Sequence, residues 1–273
     1  MPKPAMRLGC QTYTWEMLGD GYRDGPDALL RMIAEAGYEG IEITDRMIGD
    51  YAGRPADFTR ALAAHRLTLV SYAVGSNSGF TEPDQLQADL DMAGQAIGFA
   101  AHFPGAFVSF GSATVMSPGE RADKFAAAAA FYNAAGAAGK RAGVPIALHP
   151  SSHHNTLLFS REDYDHIFGL TDPGLIGWVP DTGHILRGHE DMLDVLRRYA
   201  ERIRYLHLKD VDEEDRWAML GEGDCDISAV IETVSAAPHF NGWLVVEEES
   251  ETAAADPARA VRANRERMRD YGF

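Results

Sequence analysis

The sequence is poor in cysteine and in positive charge, and it has no long apolar run. Its 273 residues include two cysteines, Cys10 and Cys225, which are too few for a disulfide framework. Lys and Arg number 25 against 41 Asp and Glu, giving a formal net charge of −16. This charge argues against nucleic acid and anionic membranes as partners, because both attract clustered positive charge. No segment approaches the roughly 18 consecutive apolar residues of a membrane-spanning helix, and the N-terminal segment does not resemble a secretory signal. We therefore expect a soluble, reduced, cytoplasmic protein.

The composition is otherwise that of an ordinary globular protein, with 45% apolar and 24% charged residues. No stretch rich in Pro, Gly or Ser divides the chain, so residues 1–273 are predicted to form one domain. The sequence also lacks a G-x-G-x-x-G segment after its first apolar run. This absence disfavours an open doubly wound sheet, which is the main alternative architecture.

Eight short apolar segments alternate with eight helical patterns along the chain. The predicted strands are 7–13, 40–43, 67–74, 106–110, 145–149, 175–180, 203–209 and 243–247. The predicted helices are 27–36, 56–65, 84–101, 122–142, 161–168, 189–198, 227–236 and 256–269. Most of the strands are too apolar to be exposed on one face, as expected where helices cover a parallel sheet. This alternation over roughly 250 residues predicts a (β/α)8 TIM barrel.

Four successive predicted strands, the fifth to the eighth, end in residue types that bind metals: His149, Asp181, His207 and Glu247. Barrel enzymes carry their reactive groups at the C-terminal ends of the strands, and adjacent strands lie about 4.8 Å apart. Two imidazoles and two carboxylates suit one divalent ion, with Mn expected first and Mg, Co, Zn or Fe as alternatives. A single histidine at a strand end is more often structural than a metal ligand, and a single Asp or Glu there often caps the following helix. Their occurrence on four successive strand ends favours a metal site.

Two basic residues accompany the predicted ligands. His184 lies three residues past Asp181, where it can reach a substrate hydroxyl or orient the ligands. Lys209 shares a strand face with His207, because alternate residues of a strand point to one side. Lys209 is therefore either a group that stabilises an enolate oxygen or half of a surface pair with Asp210.

Further polar and aromatic residues are candidates for binding a polyol. They are Gln11, Tyr13 and Trp15 near the end of the first predicted strand, Glu42 in the second, and His153 after the fifth. Aromatic core filling explains Tyr13 and Trp15 equally well. His153 and His154 are predicted to lie in a loop, with at least one of them exposed.

Three strand-end segments carry a resemblance to a known family. Residues 181–184 (DTGH), 207–210 (HLKD) and 242–247 (GWLVVE) are similar to motifs of the sugar phosphate isomerase/epimerase proteins. These proteins form the xylose isomerase-like TIM barrel superfamily, which includes inosose dehydratases, ketose 3-epimerases and endonuclease IV. Residues 9–15 (GCQTYTW) and the segment after Glu247 also fit, so the resemblance spans nearly the whole chain. It implies that Asp181, His207 and Glu247 are metal ligands and that His184 lies on the substrate side.

The fifth strand departs from one branch of this family. Ketose 3-epimerases carry a metal-bound glutamate where this sequence has His149. His149 weakens a mechanism with two opposed glutamates and resembles the histidine-rich fifth strand of inosose dehydratases. The trinuclear zinc site of endonuclease IV needs further ligands and a DNA-binding face, which the net charge of −16 disfavours.

The resemblance implies proton abstraction next to a carbonyl, with a metal-stabilised enediolate. We expect Glu247 to act as the base, His149 as a ligand or second acid/base, and Lys209 or the metal as the oxyanion stabiliser. Return of the proton gives isomerisation or epimerisation, whereas loss of a β-substituent gives dehydration or cleavage of a 3-keto-glycoside. A non-catalytic sugar-binding barrel and a metal-dependent nuclease are the other classes considered.

The predicted loops after the seventh and eighth strands are acidic. They contain residues 212–215 (DEED), 221–224 (GEGD), Glu248 and Glu249, with Arg216 as the only Arg or Lys among them. Barrels commonly bind phosphate in these two loops, and carboxylates repel a phosphoryl group. We therefore expect a non-phosphorylated sugar, keto-sugar or cyclitol as substrate. The sequence leaves the oligomeric state open, a homo-oligomer included.

Overall fold

Eight parallel strands form one curled sheet in the computed structural model, which describes residues 5–153 and 155–273. The strands of this sheet are β1 Arg7–Gln11, β2 Gly40–Thr44, β3 Thr68–Val74, β4 Phe107–Phe110, β5 Ile146–Leu148, β6 Ile176–Trp178, β7 Leu206–Leu208 and β10 Trp243–Val246. A small antiparallel hairpin, β8 Asp210–Val211 and β9 Trp217–Ala218, follows β7. The strand order is β6-β5-β4-β3-β2-β1-β10-β7. Isolated parallel bridges, Trp178 with Ile203 and Asp181 with His207, join the two edge strands. The predicted TIM barrel is confirmed.

Helices connect the strands and cover the outside of the barrel. They are α1 Tyr13–Glu16, α2 Pro26–Ala36, α3 Pro55–His65, α4 Leu86–Ala100, α5 Arg121–Ala142, α6 Arg161–Leu170, α7 Thr182–Arg187, α8 Met192–Arg198, α9 Ile227–Ser235, α10 Glu251–Ala255 and α11 Pro257–Arg267. Short 3-10 helices span Gly19–Gly21, Gly49–Gly53, Pro83–Gln85, Ala200–Arg202 and Met268–Tyr271. In the described part of the chain, none of the helices has the length and apolar character needed to cross a membrane.

The structure differs from the predicted elements mainly around the later strands. The strands β5, β6 and β7 end at Leu148, Trp178 and Leu208, earlier than predicted, because the apolar runs extend past the paired backbone. Helix α7 was not predicted, and the predicted helix 189–198 begins only at Met192. The α7 helix starts directly after Asp181, whose Oδ1 accepts a hydrogen bond from the backbone N–H of His184 at 2.9 Å. Such a carboxylate satisfies one of the unpaired amides at a helix N-terminus.

The barrel interior is apolar at its N-terminal end and polar at its C-terminal end. The apolar cluster consists of Val70, Phe107, Ala147, Val179, Tyr205, Trp243 and Val245. Gly40 lies beside this cluster, where a Cβ atom would approach Val70 to 2.6 Å and the Trp243 ring to 2.7 Å. Only glycine therefore fits here without displacing its neighbours. Buried polar residues follow toward the other end, among them Gln11, Glu42 and His207.

Candidate metal centre

The four predicted ligand residues converge at the C-terminal end of the barrel. One possible ligand atom from each of His149, Asp181, His207 and Glu247 lies within 4.8 Å of the others. The Nε2 atom of His149 is 2.9 Å from Nδ1 of His207, which in turn is 2.8 Å from Oε2 of Glu247. The Oδ2 atom of Asp181 lies 3.6 Å and 3.7 Å from these two imidazole nitrogens. The structure thus brings together side chains that are far apart in sequence around one point.

The chemistry of this donor set fits a divalent metal ion. Asp181 is fully buried, and its Oδ2 atom has no hydrogen-bond partner among the described residues. An unpaired buried carboxylate oxygen is costly, so its position is best explained by a cation held there. Mixed imidazole and carboxylate ligands are typical of Zn, Mn and Fe sites. His149, Asp181, His207 and Glu247 are the residues that would hold the ion.

Glu42 orients one of these ligands. The Nε2 atom of His207 is 3.0 Å from Oε2 of Glu42, and both side chains are at most 1% exposed. The other oxygen of Glu42 accepts hydrogen bonds from Gln11 Nε2 at 3.0 Å and from Ser109 Oγ at 3.4 Å. A carboxylate at Nε2 keeps the imidazole proton there and leaves the Nδ1 lone pair toward the other ligands. Burial lowers the pKa of His207, but Glu42 and the neighbouring carboxylates outweigh burial and raise this pKa well above its usual value. The position therefore attracts positive charge.

His184 is fixed as a neutral imidazole beside the ligands. Its Nδ1 atom accepts a hydrogen bond from the backbone N–H of Ser152 at 3.0 Å, and the Ser152 hydroxyl lies 2.9 Å from the same atom. Because a backbone amide only donates, Nδ1 is an acceptor and the ring proton lies on Nε2. Burial lowers the pKa of His184 well below its usual value. A ring nitrogen of His184 also lies within 4.8 Å of carboxylate oxygens of Glu247 and Glu249.

Lys209 forms ion pairs with two buried glutamates. Its Nζ atom donates a hydrogen bond to Oε1 of Glu247 at 3.0 Å and contacts Oε1 of Glu249. Burial lowers the pKa of Lys209, but these carboxylates outweigh burial and raise this pKa above its usual value. The alternative of a surface pair with Asp210 is wrong, because Lys209 is 1% exposed. The carboxylate of Asp210 instead accepts hydrogen bonds from backbone amides of the loop after β9.

The two glutamates differ in their ionisation. Burial alone would raise the pKa of Glu247, but Lys209 and His207 hold it well below its usual value. Burial raises the pKa of Glu249 to about 7, despite the lowering effect of Lys209. Glu247 therefore carries a stable negative charge at neutral pH.

A cavity of about 350 Å³ opens beside the ligands, which is in the range of small-molecule sites. Its lining includes Gln11, Tyr13, Glu16, Glu42, Asp45, Arg46, Ser109, His149, Ser151, His153, His184, Glu247 and Glu249. Five of the lining residues are carboxylates, and among the described residues Arg46 is the only Arg or Lys in the lining. Arg46 is itself 3.7 Å from a carboxylate oxygen of Glu16. The cavity is therefore predominantly negative.

Most of the predicted substrate-binding residues line the cavity, and one of them does not. Gln11, Tyr13, Glu42, His153 and His184 line it. Trp15 does not line it in the described structure and is 1% exposed within the core, so the core-filling alternative is the one observed. Lys209 is likewise absent from the described lining and reaches the cavity only through the two glutamates that it contacts. His154 lies outside the described residues.

Sequence reasoning gave no role in the site to Glu249 and Ser152. Glu249 was interpreted only as a loop charge, although it follows Glu247 by two residues. The spacing is the same as that between His207 and Lys209, and residues two apart in an extended chain point to one side. The contact of Ser152 with His184 depends on loop geometry after β5 and has no signal in the sequence.

Comparison with known proteins assigns this barrel to a family. Residues 30–271 match the model of the xylose isomerase-like TIM barrel family, and the chain belongs to that family. A curated inosose dehydratase from Clostridium perfringens is 30% identical over 152 residues, which cover 49% of this chain and 50% of the relative. The chain thus spans about half the length of this relative.

Solved structures share the fold at low sequence identity. A structure described as IOLI protein with a binding zinc atom has a TM-score of 0.79 and 15% identity, covering 97% of this chain and 96% of the other. The 3-keto-D-glucoside 4-epimerase YcjR from E. coli has a TM-score of 0.77 and 16% identity, covering 97% and 99%. At this identity the likeness establishes the shared barrel alone.

Proposed function

We propose that this protein is a divalent-metal-dependent enzyme that abstracts the proton next to the carbonyl of a non-phosphorylated keto-sugar or cyclitol. The observation that carries this proposal is the convergence of His149, Asp181, His207 and Glu247 beside an open cavity. The unpaired buried Oδ2 atom of Asp181 supports a cation at that point. The zinc named for one structural neighbour and the sugar chemistry named for the relatives agree with this proposal.

The ion, when bound, supplies Lewis acidity that polarises a substrate carbonyl. Glu247 accepts the proton, because it lines the cavity and Lys209 keeps its carboxylate ionised. His149 lines the same cavity with a side chain 16% exposed, as a ligand or a second acid/base. His184 presents a neutral ring to the cavity and can donate its Nε2 proton in a hydrogen bond to a substrate hydroxyl.

The charge of the cavity supports an uncharged sugar over a sugar phosphate. Five carboxylates line it, and the Arg46 guanidinium already pairs with one of them, Glu16. Among the described lining residues a phosphoryl group would find no unpaired Arg or Lys, and the ionised carboxylates would repel it. The exposed side chain of Arg46 lies at the mouth, where its charge is largely solvated.

Isomerisation or epimerisation is the first candidate for the overall reaction. Elimination of a β-hydroxyl is the second. His149 stands where ketose 3-epimerases carry a second glutamate, and the curated relative named above is an inosose dehydratase. Both reactions begin with the same proton abstraction, so Glu247 has the same role in each.

Incubation of the metal-reconstituted protein with keto-sugars and inososes in D2O tests this proposal. We expect deuterium in the recovered sugar, or an enone product if elimination follows. The metal-free protein and the variant Asp181→Asn serve as controls that should show neither. Exchange confined to phosphorylated ketoses would contradict the substrate class. The absence of exchange and product with every sugar, in protein shown to hold its ion, would contradict the enzyme proposal.

A further inference from the structure

Two groups of possible metal ligands share one residue at the end of the barrel. The first is the set of His149, Asp181, His207 and Glu247 described above. The second consists of His184, Glu247 and Glu249, whose ligand atoms also lie within 4.8 Å of one another. The two oxygens of Glu247 face different groups: Oε2 is 2.8 Å from His207, and Oε1 is 3.0 Å from the ammonium of Lys209. Glu247 therefore presents one oxygen to each group.

The ammonium of Lys209 lies within the second group. It bonds to Oε1 of Glu247 and contacts Oε1 of Glu249, which supply two of the three ligand atoms there. The ammonium also lies 4.0 Å from the ring centroid of Trp217. At Gly183 a Cβ atom would approach Cγ of Lys209 to 2.9 Å, so the stem occupies space that glycine leaves free. The side chain is therefore held in one place by close packing and by charge.

We propose that the ammonium of Lys209 takes the place of a second divalent cation, so that this centre holds one ion. The proposal rests on the metal centre of the proposed function. Glu247 and Glu249 need a positive partner in this buried position, and Lys209 supplies it from within the chain. A divalent ion at the same point would overlap the ammonium and be repelled by it. Removing the ammonium leaves the carboxylates of Glu247 and Glu249 without a positive partner and opens the second position, where these two carboxylates are the ligands because the Ser152 amide already uses the Nδ1 lone pair of His184.

The test is the number of ions per chain after reconstitution with excess Mn²⁺ and desalting, measured by elemental analysis. The wild type should retain one ion and Lys209→Ala should retain two. The matched control Lys209→Arg keeps the positive charge and should retain one. In the double variant Lys209→Ala with Glu249→Gln, the loss of one ligand should return the count to one. Lys209→Met keeps most of the aliphatic stem and provides the same test with less disturbance of the packing.

A second readout depends neither on activity nor on counting ions. Two Mn²⁺ ions bridged by Glu247 should give an exchange-coupled electron paramagnetic resonance spectrum in Lys209→Ala, whereas the wild type should give the spectrum of an isolated ion. One ion in both the wild type and Lys209→Ala would overturn the inference while leaving the proposed metal centre intact. Two ions in the wild type would also overturn it. No ion in the wild type would instead contradict the proposed function itself.

Discussion

Replacing Glu42 by glutamine should weaken metal binding by about 10- to 100-fold, equivalent to about 1.4 to 2.7 kcal/mol. Glu42 accepts hydrogen bonds from three groups, His207 Nε2 at 3.0 Å, Gln11 Nε2 at 3.0 Å and Ser109 Oγ at 3.4 Å. A glutamine keeps the shape but has one acceptor oxygen, and its amide nitrogen only donates. At least one buried donor therefore loses its acceptor, and His207 loses the charge that fixes its ring proton on Nε2.

The assay is a titration of the apoprotein with Mn²⁺ or Zn²⁺ at fixed pH in competition with a chelator. Ser109→Ala is the matched control, because Ser109 contacts Glu42 at the longest of the three distances. We expect it to change the metal affinity by less than Glu42→Gln does. The reasoning would be refuted if folded Glu42→Gln bound the ion as tightly as the wild type, because the orientation of His207 would then not depend on this carboxylate.

Three further changes should have effects of known sign. Asp181→Asn should abolish retention of the ion through gel filtration, since it removes a ligand charge, and retention equal to the wild type would exclude Asp181 as a ligand. Gly40→Ala should lower the free energy of unfolding by about 1–3 kcal/mol, because its Cβ would meet the Trp243 ring at 2.7 Å; an unchanged urea midpoint would show that the barrel interior accommodates the methyl group. Hydrogen bonds to Glu82, the stronger from Lys124 and the weaker from Ser117, lower the pKa of Glu82 to about 2. The stabilisation from this folded-state shift is complete above the ordinary pKa of 4.5 and is lost as the pH falls toward 2. The apoprotein variant Lys124→Met should therefore differ most from the wild type in thermal midpoint above about pH 4.5 and converge with it toward pH 2, and a pH-independent difference would contradict this assignment.

The fold could be predicted because its signals are local. Apolar runs of strand length alternate with helical patterns, which indicates a parallel sheet covered by helices, and eight such units without a G-x-G-x-x-G segment favour a barrel over an open doubly wound sheet. Strand ends were predicted less well, because pairing stops where the neighbouring strand ends. Asp181 illustrates the limit: it was predicted as a strand-end ligand, and in the structure it also caps the unpredicted helix α7. A single capping carboxylate before one short helix gives no periodic signal.

The site could be predicted only as a set of residue types at strand ends. The convergence of His149, Asp181, His207 and Glu247 follows from barrel geometry, which places successive strand ends at one rim. The predicted barrel already places β7 beside β10, but the contact of Lys209 with Glu249 depends on the path of the chain after β10 ends at Val246, and the sequence carries no signal for that path. Trp15 was equally compatible with the core and the cavity, and only the three-dimensional packing assigns it to the core.

The position of a bound ion is the most direct test of the metal centre. Crystals of the protein reconstituted with Mn²⁺ or Zn²⁺ should show a single anomalous scattering peak. We predict this peak at about 2.0 to 2.3 Å from Nε2 of His149, Oδ2 of Asp181, Nδ1 of His207 and Oε2 of Glu247. A peak bound by other residues, or no peak in protein exposed to saturating metal, would contradict the central claim.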